Sequence, residues 1–356
     1  MNYRKATMLI AESIATAGTK TLDFKLKDVI SRISIQTKCM NNGSTPTAHP
    51  ATIVSKIEIV DGSDVLWSLS GKQASALNFY STDKPAVDAV TYVDNINNWQ
   101  VFNINFGRWL WDEDLAFDPT RFKNPQLKIT HNLAAGGSVP DAGTLEVVAD
   151  CFDELKPNPM GWLMAKEFHN YTPVASSYKY IDLPTDYPMR ALYLQYLYGG
   201  QAPHNGIYAI RLSEENEKRI PIDDLTWDLL KYTLDQFGRY EEDVVAATTT
   251  SEVTHYVTPT YLTHCFGNDN ISTESYVFFG QSYGGTVGID ASAAGVVRFR
   301  ASGYCPHGVM PIPFGDYWDA NKWYDVTKLG SLELRLLADS SVGGTAQVIT
   351  EQLRRY

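Results

Sequence analysis

The sequence predicts an all-β protein made of two tandem antiparallel β-sandwiches. Three observations carry that expectation. Apolar residues alternate with polar ones in many short runs, the period of a half-buried strand. Helical spacing is sparse, and no rhythm of strand and long helix appears, which argues against doubly wound and TIM-barrel folds. A weak self-similarity at an offset of about 208 residues keeps four features in order.

The first 18 residues read as one short helix. Ala6, Leu9, Ile10, Ile14 and Ala17 follow the spacing of a single apolar face, and Gly18 stands where a stop belongs. Too short and too weakly apolar to span a bilayer, this arm (1–20) would dock on its own domain, a neighbouring subunit or a membrane surface, with protein the default. Strands follow at Leu22, Phe24 and Leu26, at Ile33 and Ile35, and at Ile57 and Ile59. Leu127, Ile129 and His131, then Leu145 and Val147, close the first half. The second half repeats the pattern at Tyr178 and Tyr180, at Leu192, Leu194 and Tyr196, and at Leu332, Leu334 and Leu336. Turn-forming stretches separate them, such as 61–64, 135–137 and 342–344.

Two helices stand out. Asp223 to Phe237 carries a stripe of Leu225, Leu229, Leu230, Leu234 and Phe237, with Asp223 or Asp224 as its cap and Gly238 as its end. Gly71 to Tyr80 is shorter. Two segments, 81–98 and 240–275, lack sustained patterning and are expected to be loops at one end of the sandwiches.

In the repeat, Val101, Phe102, Ile104, Phe106 and Gly107 align with Val309, Met310, Ile312, Phe314 and Gly315. Each block leads into an aromatic, acidic segment (Trp109 to Asp114; Asp316 to Asp319), then an alternating strand, a Gly-Gly loop and a second strand. Upstream, Ile57, Ile59 and a short helix parallel Ile207, Ile210 and a short helix. The expected division is a first domain at 21–156, a Pro-, Gly- and Ser-bearing linker at 157–177, and a second domain at 178–356. Eight strands per domain with long loops fit a tandem jelly roll.

Composition narrows function without naming it. The 356 residues carry a net charge of −11, against a general polyanion-binding surface. Residues 1–38 are nevertheless basic, with seven Lys and Arg against three acids. Four Cys exclude a disulfide framework, no apolar run is long enough to span a bilayer as a helix, and the N-terminus lacks a secretory-type apolar run.

Taken together, the basic amphipathic N-terminus, the hairpin and helix from Ile57 to Tyr80, the repeated Ile-x-Phe-Gly block and the final hairpin from Leu332 to Leu353 resemble one family. The chain resembles double-jelly-roll major capsid proteins of the adenovirus-hexon lineage. The likeness covers the whole chain as architecture, without a diagnostic motif. It implies homotrimers that present six sandwiches in a pseudo-hexagonal tile of an icosahedral virion shell. It further implies contacts with neighbouring capsomers, with penton and minor capsid proteins, and with an internal lipid membrane. Arg4, Lys5, Leu9, Ile10 and Ile14 would face the membrane or interior, attracted at about 1 kcal/mol per basic residue. The insertions would be tower loops and trimer clasps. Synthesis in a reducing host cytoplasm fits the few cysteines. No cofactor, metal or sequence-specific nucleic-acid binding is expected. A viral spike or minor coat protein of related fold is a weaker option.

The alternative class is a tandem β-sandwich that binds or degrades polysaccharide. Tyr193, Tyr196, Tyr198 and Tyr208 could line a sugar face, although core or interface packing is the preferred reading. Candidate carboxylates are Asp112, Glu113 and Asp114, Glu214 and Glu215, Asp223 and Asp224, and Glu241, Glu242 and Asp243. His264-Cys265 would point to opposite faces of a strand, whereas Cys305 and His307 could share one. No nucleophile elbow, P-loop or His-Glu-x-x-His occurs, and Gly284-Gly285 lacks the setting of a phosphate cradle. A structural protein, not an enzyme, is the expectation.

Overall fold

The computed structural model describes residues 1–270, 276–280 and 285–356. In chain order the first half forms β1 (Tyr3–Ile14), β2 (Ala17–Asp23), β3 (Ile30–Met40), β4 (Val54–Asp61), β5 (Asp64–Leu69), α1 (Gly71–Thr82), β6 (Val90–Tyr92), β7 (Asn97–Asn105), β8 (Pro125–Asn132) and β9 (Ala142–Phe152). Two sheets of order β1-β9-β3-β7 and β2-β8-β4-β5 make the first roll. The alternating apolar residues of β3, β4, β8 and β9 meet in one core with Phe102 and Ile104 of β7.

The second half begins with β10 (Gly161–Tyr171), β11 (Tyr178–Asp182), β12 (Met189–Leu197), β13 (Ile207–Glu214), β14 (Arg219–Leu225) and α2 (Thr226–Leu234). Six strands follow: β15 (Tyr240–Thr248), β16 (Val253–Tyr256), β17 (Pro259–Asn270), β18 (Tyr276–Gly280), β19 (Thr286–Ala291) and β20 (Gly295–Pro306). The chain ends with β21 (Val309–Pro313), β22 (Leu332–Ala338) and β23 (Thr345–Arg355). The orders β10-β23-β12-β21 and β11-β22-β13-β14 reproduce those of the first roll strand for strand. The fold is thus two eight-stranded antiparallel jelly rolls, as the alternation and the repeat predict. A parallel bridge between Ser68 of β5 and Lys166 of β10 fuses one sheet from each roll into a single eight-stranded sheet.

α1 is held between the rolls. Its start is a capping box: Ser70 Oγ accepts from the Gln73 amide, and Gln73 Oε1 accepts from the Ser70 amide. Apart from Lys72 and Thr82, every residue of the helix is buried. Its far side packs on the second half. The Tyr80 hydroxyl donates to the Val309 carbonyl at 2.7 Å, and Gln73 Nε2 donates to Gln195 Oε1 at 3.0 Å. Phe79 lies edge-on to Tyr240 and Tyr80 edge-on to Phe237, with centroids 5.2 and 5.0 Å apart. The equivalent helix α2 buries only Thr226, Leu230, Thr233 and Leu234.

Four expectations are corrected. Residues 1–18 are not a helix: β1 lies along β9 from Tyr3–Phe152 to Ile14–Gly143, and Gly18 sits inside β2. Two register shifts in β1, around Leu9, break its period of two and leave a spacing that imitates a helix. A twelve-residue helix of modest propensity gains less than a full ladder on β9. The linker at 157–177 is interrupted by β10, so the second roll begins at Gly161. Five consecutive residues from Gly161 to Ala165 are buried, because β10 has strands on both sides and apolar packing on both faces, which erases alternation. Asp223 and Asp224 belong to β14, and α2 starts at Thr226 without a side-chain cap.

The unpatterned segments, finally, are not loops throughout: both carry strands. β6 joins the order β17-β20-β15-β6, and β16-β19-β18 form a second small sheet. Val90, Tyr92, Val244, Ile289 and Phe299 are part of a separate core there. Residues 271–275 of the second segment lie outside the described residues.

Tyr80→Ala is expected to lower stability by about 3–5 kcal/mol, since it empties a buried aromatic site. Tyr80→Phe should cost only about 1–2 kcal/mol, the penalty of an unsatisfied Val309 carbonyl. Urea unfolding of both variants checks the order.

Candidate functional site

The repeated block marks the same structural corner in both rolls. Ile104 and Ile312 point into the two cores from the equivalent strands β7 and β21. Phe106 is buried and stacks on Phe117 at 4.9 Å, whereas Phe314 is half-buried against Tyr324 at 5.1 Å. The glycines two residues past each strand are there for steric reasons. A Cβ on Gly107 would stand 2.5 Å from the Leu115 carbonyl, and one on Gly315, at φ +74°, would stand 2.2 Å from the Lys322 carbonyl.

The aromatic, acidic segment beyond each glycine is organised by an arginine, Arg108 next to Gly107 and Arg190 from β12. In the first roll Arg108 makes two bonds to Asp112, 2.7 and 2.8 Å, and reaches Asp114 at 2.7 Å. The buried Asp112 carboxylate also accepts the backbone amides of Arg108 and Asp114. In the second roll the fully buried Arg190 lies 3.6 Å over the Tyr317 ring and donates to the Tyr317 carbonyl at 3.1 Å and to Glu351 at 3.4 Å. Tyr193 bonds both Tyr317 and Glu351, which closes the network. These corners are rigid supports; neither presents a free nucleophile or an open acid–base pair.

Most of the other candidates have structural partners. Glu214 is held by Arg219 at 2.8 Å and by the Tyr324 hydroxyl, and Glu215 accepts the Gly330 amide. Asp223 is 3.8 Å from Arg211, and Asp243 pairs with Arg300 at 2.9 Å. Glu242 accepts the amide and hydroxyl of Thr258. Cys39, Cys151 and Cys305 are buried free thiols, and burial pushes Cys39, Cys151 and Cys265 up to about 12, far from a thiolate at neutral pH. Cys305 and His307 both adopt left-handed backbone, so they do not share one strand face. Among the described residues no cluster of three His, Cys, Asp or Glu could hold a metal; Gly284 lies outside them.

The four tyrosines do not form a platform. Tyr193 and Tyr196 are buried, the latter accepting the Gly343 amide, while Tyr198 and Tyr208 are about half exposed.

The basic arm is largely neutralised within the molecule. Arg4 pairs with Asp28 and with Asp153 at 3.5 Å, Lys5 with Asp150 at 3.0 Å, and Lys20 with Glu12 at 2.7 Å. Leu9 and Ile14 pack on the core, and Ile10 is exposed. Lys25 and Lys27, between β2 and β3, are exposed and make no ion pair among the described residues.

The exposed apolar residues are what sequence reasoning missed. Leu225, Trp227 and Tyr232 flank or lie on α2, and Val87, Ile96 and Trp99 lie between α1 and the early part of β7. Period two and period 3.6 report a buried face, so they are silent about a second apolar face left in water.

No protein-family model and no curated protein sequence matches the chain. Solved structures do. The architecture is that of double-jelly-roll viral major capsid proteins. The major capsid protein P2 of bacteriophage PM2 aligns with TM-score 0.59 and 11% identity over 99% of this chain and 98% of that one. A chain of the Sulfolobus turreted icosahedral virus structure aligns with TM-score 0.61 and 12% identity over 100% and 92%. VP54 of PBCV-1 aligns with TM-score 0.60 and 9% identity over 99% and 93%.

Removal of residues 1–14 is expected to strip β9 of a partner strand and lower the unfolding midpoint measured by calorimetry; an unchanged midpoint would contradict β1 as part of the roll. Arg190→Ala should cost about 3–5 kcal/mol in denaturant unfolding, because it strands the Glu351 carboxylate, and Glu351→Gln in the same chain should recover part of it.

Proposed function

We propose that this chain is a major capsid subunit, a structural protein whose mechanism is assembly into a homotrimer and then into an icosahedral shell. The observation that carries the reading is whole-length likeness to capsid proteins of three viruses, at coverage above nine-tenths of each chain. No catalytic constellation competes with it among the described residues.

The internal repeat supports the trimer. Within one chain, α1 of the first roll docks on β12 and β21 of the second. The equivalent helix α2 carries exposed Trp227 and Tyr232, the latter 73% exposed. The strands equivalent to β12 and β21 are β3 and β7, and Trp99 of β7 is exposed with Ile96 just before it. Repeating the intrachain contact between chains sets α2 of one subunit against β3 and β7 of the next. Such head-to-tail contacts form a ring when the rotation between subunits closes, here after three steps in the proposed trimer. Three chains then give six rolls and a pseudo-hexagonal outline. The small β15–β20 unit, with β6, would crown the outer side. Neighbouring capsomers, penton and minor capsid proteins are the further partners.

Arg4 and Lys5 are paired internally, so the electrostatic part of any membrane or interior contact falls to Lys25 and Lys27, with Ile10 as an apolar contribution. An interior-facing position of Leu9, Ile10 and Ile14 belongs to the same proposal. Synthesis in a host cytoplasm and residence in the virion complete it.

Light scattering of purified protein should give three times 39.8 kDa or a larger shell. Tyr232→Arg and Trp99→Arg should each yield folded monomers; a persistent wild-type monomer at micromolar concentration would sink the reading.

A further inference from the structure

Where the two rolls meet the small β unit lies a cavity of about 300 Å³, lined by His49, Lys72, Tyr198, Thr260, Gly285 and His307 among others. Three parts of the chain supply its imidazoles and its ammonium: the loop before β4, the start of α1, and the connection from β20 to β21. We propose that this cavity is a binding site for a phosphate-type oxyanion, held by the Lys72 ammonium and the His307 imidazole.

The argument rests on which groups are already committed. His49 Nδ1 accepts the Ala51 amide at 3.1 Å, which leaves its proton on Nε2. That Nε2 stands 3.2 Å from Thr258 Oγ1 and 3.6 Å from the Glu242 carboxylate. Glu242 also accepts from the Thr258 amide at 2.6 Å and its hydroxyl at 2.9 Å, and it is not part of the cavity wall. His49 Nε2 is therefore committed to Thr258 Oγ1, whose hydroxyl donates onward to Glu242.

His307 is different. Its backbone is fixed at both ends: its amide donates to the Thr258 carbonyl at 2.8 Å, and its carbonyl accepts Gln195 Nε2 at 3.0 Å. The residue is 95% buried and its ring is edge-on to His49 at 4.8 Å, yet neither ring nitrogen has a hydrogen-bond partner among the described residues. Lys72 is the one charged residue of the wall, and it makes no ion pair among them. A half-buried ammonium and an imidazole without a hydrogen-bond partner on the wall of one cavity, with no carboxylate among its described lining residues, match an anion. The tyrosines of the wall, Tyr196, Tyr198 and Tyr256, add no competing charge at neutral pH.

Burial, and the nearby His49 and Lys72, hold His307 well below the ordinary histidine range, and burial also lowers Lys72. An entering anion reverses this balance and favours protonated His307. Binding is therefore coupled to proton uptake and tightens as pH falls.

Isothermal titration of the full chain in its native assembly with inorganic phosphate, at constant ionic strength, tests the site at about pH 6 and about pH 8. The expected result is one phosphate per chain, tighter at the lower pH, weakened at least about tenfold in Lys72→Gln and retained in Lys72→Arg. His307→Gln should abolish the tightening at the lower pH, leaving only the pH dependence of phosphate's own ionisation; if that variant does not fold, the Lys72 pair decides alone. A parallel titration with AMP separates a free ion from a phosphate group on a larger molecule, and binding of either upholds the site. Absence of phosphate binding, or equal affinity in Lys72→Gln and wild type, would overturn it.

Discussion

The burial of α1 between the two rolls fixes everything else in the molecule. A jelly roll with one exposed helix is a complete unit, and two such units on a string could sit in any relation. Here ten of the twelve residues of α1 are buried, and its Tyr80 and Gln73 bond to strands of the second roll. The cost of a buried hydroxyl or amide is large unless its partner is in place. Only one relative position of the rolls satisfies both bonds and also continues the sheet from β5 to β10. The first core accordingly draws in Tyr193, Tyr240, Val309 and Tyr317 from the second half.

That fixed relation gives the repeat its meaning. The two rolls share strand order but not surroundings, so equivalent positions diverge. Phe106 is sealed by Phe117, while its counterpart Phe314 stays half open. α1 is enclosed and α2 is not. The connection from helix to the next roll strand, β7 or β21, is short in the first roll and carries six strands in the second. β6 of the first roll nevertheless pairs with β15, so the insertion is tied to both halves. The cavity beside His307 exists only because these three parts converge.

Legibility followed the physics of each element. Strands with one wet face, such as β8 with Leu127 and Ile129 or β22 with Leu332, Leu334 and Leu336, announce themselves by alternation. β10 does not, because it is buried on both faces and reads as an apolar run among prolines. β1 misleads because register shifts around Leu9 destroy its period. The helix at Gly71 was visible from its short apolar pattern, and Ser70 with Gln73 three residues on is the local signal that would have sharpened it. Asp223 and Asp224 looked like caps, but pairing with Ile210 and Arg211 draws them into β14.

The sequence by itself determined the class of fold, its duplication and the positions of most strands, because period and order are local or nearly local properties. It also located both repeated blocks, where Gly107 and Gly315 are required by close backbone approach. Only the tertiary structure decided that residues 1–14 form a strand, that 161–171 completes the second roll, and that Arg4 and Lys5 spend their charge on Asp28 and Asp150. It alone brought His49, Lys72 and His307 to one cavity across more than half of the chain. Long-range partners choose between local conformations of similar energy, and no spacing within a segment records which partner will be there.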